Sequence, residues 1–172
     1  MLHLVSEFAT YNSNTVLTPA GGPYDDIKVT GGSTLSLSAG TYVVNSLSLS
    51  GNSILEITSG PVIIQVAGQG VATPVSLTGG TISNPGYDPS TLQIVYGGTG
   101  AVKLAGGASA AAVVYAPNAD ITFAGNGHFY GSVIGKTVTD TGGAQIHYDT
   151  SLQSKFATAG NHMLTAFTWK KS

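Results

Sequence analysis

The segment Ile121-Thr-Phe-Ala-Gly125-Asn-Gly-His-Phe129 decides how this chain is read. Ile121 and Phe123 are apolar with Thr122 between them, the two-residue alternation of a strand with one buried face. Gly125 then offers a corner conformation that a Cβ would penalise, and Asn126 tolerates the left-handed region. Phe129, four residues past the corner, turns back toward the interior. The pattern recurs five more times. The copies are Ile27-Lys-Val-Thr-Gly31-Gly-Ser-Thr-Leu35, Leu47-Ser-Leu-Ser-Gly51-Asn-Ser-Ile-Leu55, Val75-Ser-Leu-Thr-Gly79-Gly-Thr-Ile, Val102-Lys-Leu-Ala-Gly106-Gly-Ala-Ser-Ala110 and Val138-Thr-Asp-Thr-Gly142-Gly-Ala-Gln-Ile146.

The leading glycines fall at 31, 51, 79, 106, 125 and 142, so the steps between them are 20, 28, 27, 19 and 17 residues. Steps of that size match one coil of a parallel β-solenoid, the longer coils carrying insertions. Coils stacked at about 4.8 Å make a stub about 30 Å tall. Further strand candidates lie between the corners at Thr41-Tyr-Val-Val, Pro61-Val-Ile-Ile-Gln-Val, Leu92-Gln-Ile-Val-Tyr, Ala112-Val-Val-Tyr and Ser132-Val-Ile. A β-sandwich would lack a corner recurring at this interval. The expected fold is all-β, a parallel β-solenoid of six to seven coils with small terminal caps. Residues 27–149 are its body, 1–26 an N-terminal arm or cap, and 150–172 a C-terminal capping segment. In that segment Met163, Phe167 and Trp169 share one face of an alternating stretch and read as a covering strand. One residue breaks the repeat: Asp140 stands at an inward position, so either its coil rotates or its carboxylate is buried and paired.

Composition narrows the function. Of 172 residues only 8% are charged, with 6 lysines, no arginine and a net charge of −2, against about 25% charged in an average domain. Nucleic acid is held by clustered Lys and Arg, so a nucleic-acid partner is not expected, nor an anionic membrane surface. There is no cysteine, hence no disulfide and no thiolate metal site. The longest apolar stretch, Ala110 to Ala116, is too short to span a bilayer. The first residues lack the basic and apolar regions of a signal peptide, so an exported form would have shed a leader or be part of a longer chain. The 24 Gly, 18 Ser and 20 Thr give a composition common in extracellular all-β proteins.

Three stretches carry a family resemblance. They are Tyr115-Ala-Pro-Asn-Ala-Asp120, Gly125-Asn-Gly-His-Phe-Tyr-Gly-Ser-Val-Ile-Gly135, and Gly142-Gly-Ala-Gln-Ile-His-Tyr-Asp149-Thr-Ser-Leu152. They resemble an uncharacterised bacterial β-solenoid domain found in PilX-like and Tad (TadE/TadG-like) pilus-assembly proteins. Gly40-Thr-Tyr-Val-Val and the closing Phe167-Thr-Trp169 fit it as well. The resemblance implies a cell-surface location and a structural or adhesive role, and hands over no catalytic residues. A weaker likeness, in Leu37-Ser-Ala-Gly-Thr-Tyr42, is to ice-binding-like adhesin domains.

Two groups of side chains are candidates for chemistry. Laying Gly125 on Gly142 sets His128 beside Gln145 and Tyr130 beside His147, with Asp149 following. His128, Tyr130, His147 and Asp149 could form a polar site for a sugar or a metal ion. The plainer reading makes them cross-strand pairs and loop contacts, and no metal or cofactor is assigned. The second group is an outward hydroxyl series ending in Thr137, Thr139 and Thr141, a candidate ice-binding face interrupted at Lys103 and Ala105. Glycan-active solenoids use a long groove and paired carboxylates or a basic residue. This chain has too few coils and no arginine, and it lacks the nucleophile-elbow, His-Glu-x-x-His and phosphate-loop motifs. An enzyme is therefore not expected. The expected role is a non-catalytic structural or adhesive module, extracellular or on the cell surface, that self-associates or joins other surface subunits. Ice binding through the outward Thr/Ser face, and a carbohydrate-binding or carbohydrate-active β-helix protein, are the alternatives.

Overall fold

The computed structural model describes residues 9–17, 23–105 and 110–155. Every strand pairing among them is parallel, as a solenoid requires. The first wall is the strand that leads into each corner. It stacks β1 (Ala9–Tyr11), β3 (Tyr24–Val29), the end of β5 (Gly40–Leu49), β8 (Val75–Ser76), β11 (Val102–Ala105) and the ends of β12 (Ala110–Ala124) and β13 (His128–Asp140). Its inward column runs Ile27, Leu47, Val75, Val102, Ile121, Val138. Those are the residues four places before the six glycines, so the repeat and the stacking register coincide.

Past the corner lies a second wall of β2 (Thr15–Leu17), β4 (Thr34–Leu37), β6 (Ser53–Ile57) and β9 (Gly80–Ser83). The third wall returns the chain through the start of β5, β7 (Val62–Val66), β10 (Leu92–Tyr96) and the starts of β12 and β13, with β14 (Gln145–Tyr148) on β13. Tyr42, Ile64, Ile94, Val114 and Val133 form its inward column. Alternation along each strand sends these side chains into one shared core, where Leu55, Val62, Leu92, Ile121 and Phe123 are fully shielded from solvent. Burying such a side chain is worth about 1.5–3 kcal/mol, and this continuous apolar axis is what holds the coils together.

The corners stack as well as the walls. Gly51 and Asn52 take left-handed φ values of 65° and 61°, the conformation in which a larger side chain is strained. Gly32 N donates to Gly51 O and Asn52 N to Gly79 O, both at 2.8 Å, so each corner is bonded to the next. Ser53, wholly buried, closes its corner: its Oγ donates to Val29 O and accepts from Ser50 N, each at 3.1 Å.

Three features depart from the sequence-based outline. The solenoid does not begin at residue 27. Ala9–Tyr11 and Thr15–Leu17 form a preceding coil in register with β3 and β4. Its corner is Ser13-Asn14 rather than glycine, and Asn14 Oδ1 accepts from Thr34 N at 3.0 Å, which is why the glycine pattern does not mark it. At the other end, residues 150–155 supply the one-turn helix α1 (Leu152–Lys155), with Leu152 buried. Met163, Phe167 and Trp169, the expected covering strand, lie outside the described residues.

The cross-section also changes. Six residues, not nine, separate the corner from the third wall in the last coils: Gly125 to Gly131, against Gly31 to Gly40. The second wall therefore ends at β9. Its open flank is covered by two short 3-10 turns, Pro85–Tyr87 and Pro89–Thr91. Asn84, which leads into them, donates from Nδ2 to Ala111 O at 2.9 Å and stitches the insertion to β12. A cavity of about 10 Å³ remains beside the junction, lined by Leu77, Ile82, Leu104, Ala110 and Phe129 among others.

Candidate functional site: an aromatic rack on the last coils

Strands β13 and β14 pair His128 with Gln145 and Tyr130 with His147, the neighbours that aligning the corners predicts. His128 and Tyr130 project outward, because they alternate with buried Phe129, and His147 faces the same way as its register partner Tyr130. Tyr130 and His147 stack at a ring-centroid separation of 4.8 Å and an interplanar angle of 16°, the interval between coils. His128 stands alongside, 5.2 Å from His147 and 6.2 Å from Tyr130, its plane within 21° of both. His128 Nδ1 and His147 Nε2 are 2.9 Å apart. At that distance one nitrogen donates and the other accepts, so the two rings share a hydrogen.

Tyr87 completes the rack and has no place in the sequence-based outline. Its ring lies 6.1 Å from that of Tyr130, tilted by 59°. It is carried by the 3-10 turn that covers the missing second wall, and its φ of 53° is rare for an aromatic residue. The signal that could have found it is the long step between Gly79 and Gly106, where Asn84-Pro-Gly-Tyr-Asp-Pro89 reads as an outward insertion. Nothing local says on which coil that insertion lands.

Asp149 is engaged elsewhere: its Oδ1 accepts from Ser151 N at 2.8 Å, forming the turn into α1. Among the described residues no three His, Cys, Asp or Glu side chains come close enough to hold a metal ion together. No helix among them is long and apolar enough to cross a membrane.

Asp140 resolves differently from either expectation. It pairs in register with buried Phe123, yet it is exposed on the last coil. Its Oδ1 accepts from Gly142 N at 3.0 Å and Gly143 N at 3.1 Å. The amide of Gly142 first, then that of Ala144, hold its carboxyl below the ordinary aspartate range; desolvation opposes them, and the amide of Gly143 adds the least. A carboxylate with a lowered folded-state pKa contributes stability above its unfolded value and loses it as pH falls through the folded one. Asp140→Asn is therefore expected to lower Tm at neutral pH, with the gap to the parent protein closing in acid. Thermal melts of both proteins across the acid range read this directly.

The hydroxyl series is less uniform than an ice-binding plane. In register the central outward column of the first wall reads Thr10, Lys28, Ser48, Ser76, Lys103, Thr122, Thr139. Two lysines divide it. The flanking threonines are turned to their own neighbours, Thr137 Oγ1 donating to Asp120 Oδ1 at 2.6 Å and Thr141 Oγ1 to Phe123 O at 3.0 Å.

Fold and site together define a compact parallel β-solenoid that displays a rack of rings at one end of its outer wall. The model of a domain of unknown function, DUF7305, matches residues 3–155, and the chain belongs to that family. The match begins ahead of residue 27, in accord with the extra coil. No curated protein and no solved structure matches the chain.

Proposed function

We propose that this domain is a non-catalytic structural or adhesive module of the bacterial cell surface, built to extend an assembly by stacking coil on coil. The observation that supports this is the state of its last coil. Val138, Ile146 and Tyr148 continue columns that are buried lower down, yet they are 45%, 46% and 55% exposed. Core-type side chains exposed at the end of the described coils are what a further coil covers, and parallel strand edges pair readily with another copy. The low charge of the chain offers little repulsion against such packing.

The test is oligomeric state against concentration, by sedimentation or light scattering. Self-association that weakens in Ile146→Lys supports the reading, since an ammonium group would be buried unpaired in the joint. A chain that stays monomeric at every concentration overturns it. Glycan adhesion is the second reading, favoured by the rack, whose flat ring faces beside polar nitrogens suit a sugar ring. Retention on a polysaccharide panel by the monomer would move the assignment to it. The ice-binding reading is the weakest of the three, because of the lysines in the hydroxyl column.

A further inference from the structure

We propose that His128 and His147 form a two-imidazole site for a divalent transition-metal ion of tetragonal preference, Cu(II) or Ni(II). This is independent of the coil-stacking reading and rests on the geometry of the outer wall. The two facing nitrogens, His128 Nδ1 and His147 Nε2, are 2.9 Å apart. Imidazole nitrogens bind such ions at about 2.0–2.1 Å, so two of them at a right angle stand about 2.9 Å from each other, while a tetrahedral opening sets them about 3.3–3.4 Å apart. This hydrogen-bonded spacing lets one ion reach both nitrogens once the shared hydrogen has left, and it lies nearer the square-planar than the tetrahedral span, the arrangement Cu(II) and Ni(II) prefer with nitrogen ligands.

Three features make this a built site. Both histidines sit on paired strands, with Tyr130 opposite His147 in register, so backbone hydrogen bonds set their spacing. The ring of Tyr130 lies against that of His147 at 4.8 Å and restrains its plane. Both imidazoles are half-buried on the outer wall, open to an entering ion on their solvent side. On metal entry the donor ring transfers its hydrogen to its other nitrogen through water, freeing both facing lone pairs, so no net proton is released. Asp149 does not come close enough to join the two histidines as a third ligand, and water fills the remaining positions.

The experiment is a calorimetric titration of the full chain with copper(II) sulfate and with nickel(II) chloride. Every sample carries His3→Ala and His162→Ala, so that the other two of the 4 histidines contribute nothing. Binding of one ion per chain is expected, weakened about tenfold or more by His128→Gln and by His147→Gln separately. Electron paramagnetic resonance of the copper complex should report two imidazole nitrogens in the parent and one in either variant. Absence of the two-nitrogen signature in the parent, or an affinity unchanged by both glutamine variants, overturns the proposal. The count of nitrogens in the parent needs no variant, so it decides the matter even where a glutamine substitution folds poorly.

Discussion

Replacing Gly131 with alanine is expected to lower Tm by roughly 5–20 °C, a cost of about 2–6 kcal/mol in a chain of this size. Gly131 lies in β13 with φ at 134°, a conformation that side chains rarely adopt. A Cβ there would run into the carbonyl oxygen of Ala112 on the coil below and stand 2.9 Å from Pro89 Cβ. The conformational strain is worth about 1–3 kcal/mol, and overpacking against an unyielding backbone about as much again. Gly143→Ala is the control. Gly143 also has a positive φ, 83°, but nothing lies within 4 Å of its would-be Cβ, so only the conformational part is lost. If Gly131→Ala melts no lower than Gly143→Ala, the coils do not approach each other closely at this strand.

The second large effect is expected at Phe123. This ring is fully buried and meets Phe129 edge-on at 5.2 Å, closing the core between the last two complete coils. Phe123→Ala removes the ring and leaves a cavity, at about 3–5 kcal/mol, with about 0.5–1.5 kcal/mol of ring pairing lost besides. One coil further on, the same column holds exposed Asp140, where truncation opens no cavity. The midpoint of urea unfolding should therefore fall far more for Phe123→Ala than for Asp140→Ala. Equal shifts would mean that the apolar axis does not run through Phe123.

Much of the architecture is legible in the sequence because its causes are local. Alternation at Ile121-Thr-Phe needs only the pleat of a strand, and Gly51-Asn52 needs only the sterics of a left-handed corner. Repeating both at nearly constant intervals leaves a stacked coil as the arrangement that buries every apolar column at once. The pairing of Tyr130 with His147 follows from the same arithmetic. The first coil escapes the pattern because Ser13-Asn14 makes its corner without glycine, relying on an asparagine side chain that bonds to the next coil. Asp140 defies the repeat because alternation says which way a side chain points and is silent on whether another coil follows.

The chain's own residues thus determine the solenoid, its corners and the inside and outside of each strand, since pleat, chirality and hydrophobicity act within a few positions. Only the tertiary structure decides that three residues vanish from the lap of the last coils, that the Pro85–Thr91 insertion swings over the gap to bring Tyr87 against Tyr130, and that two histidines 19 residues apart meet at 2.9 Å. Those contacts depend on the summed length and tilt of whole coils, and a shift of a fraction of an ångström per coil makes or breaks them.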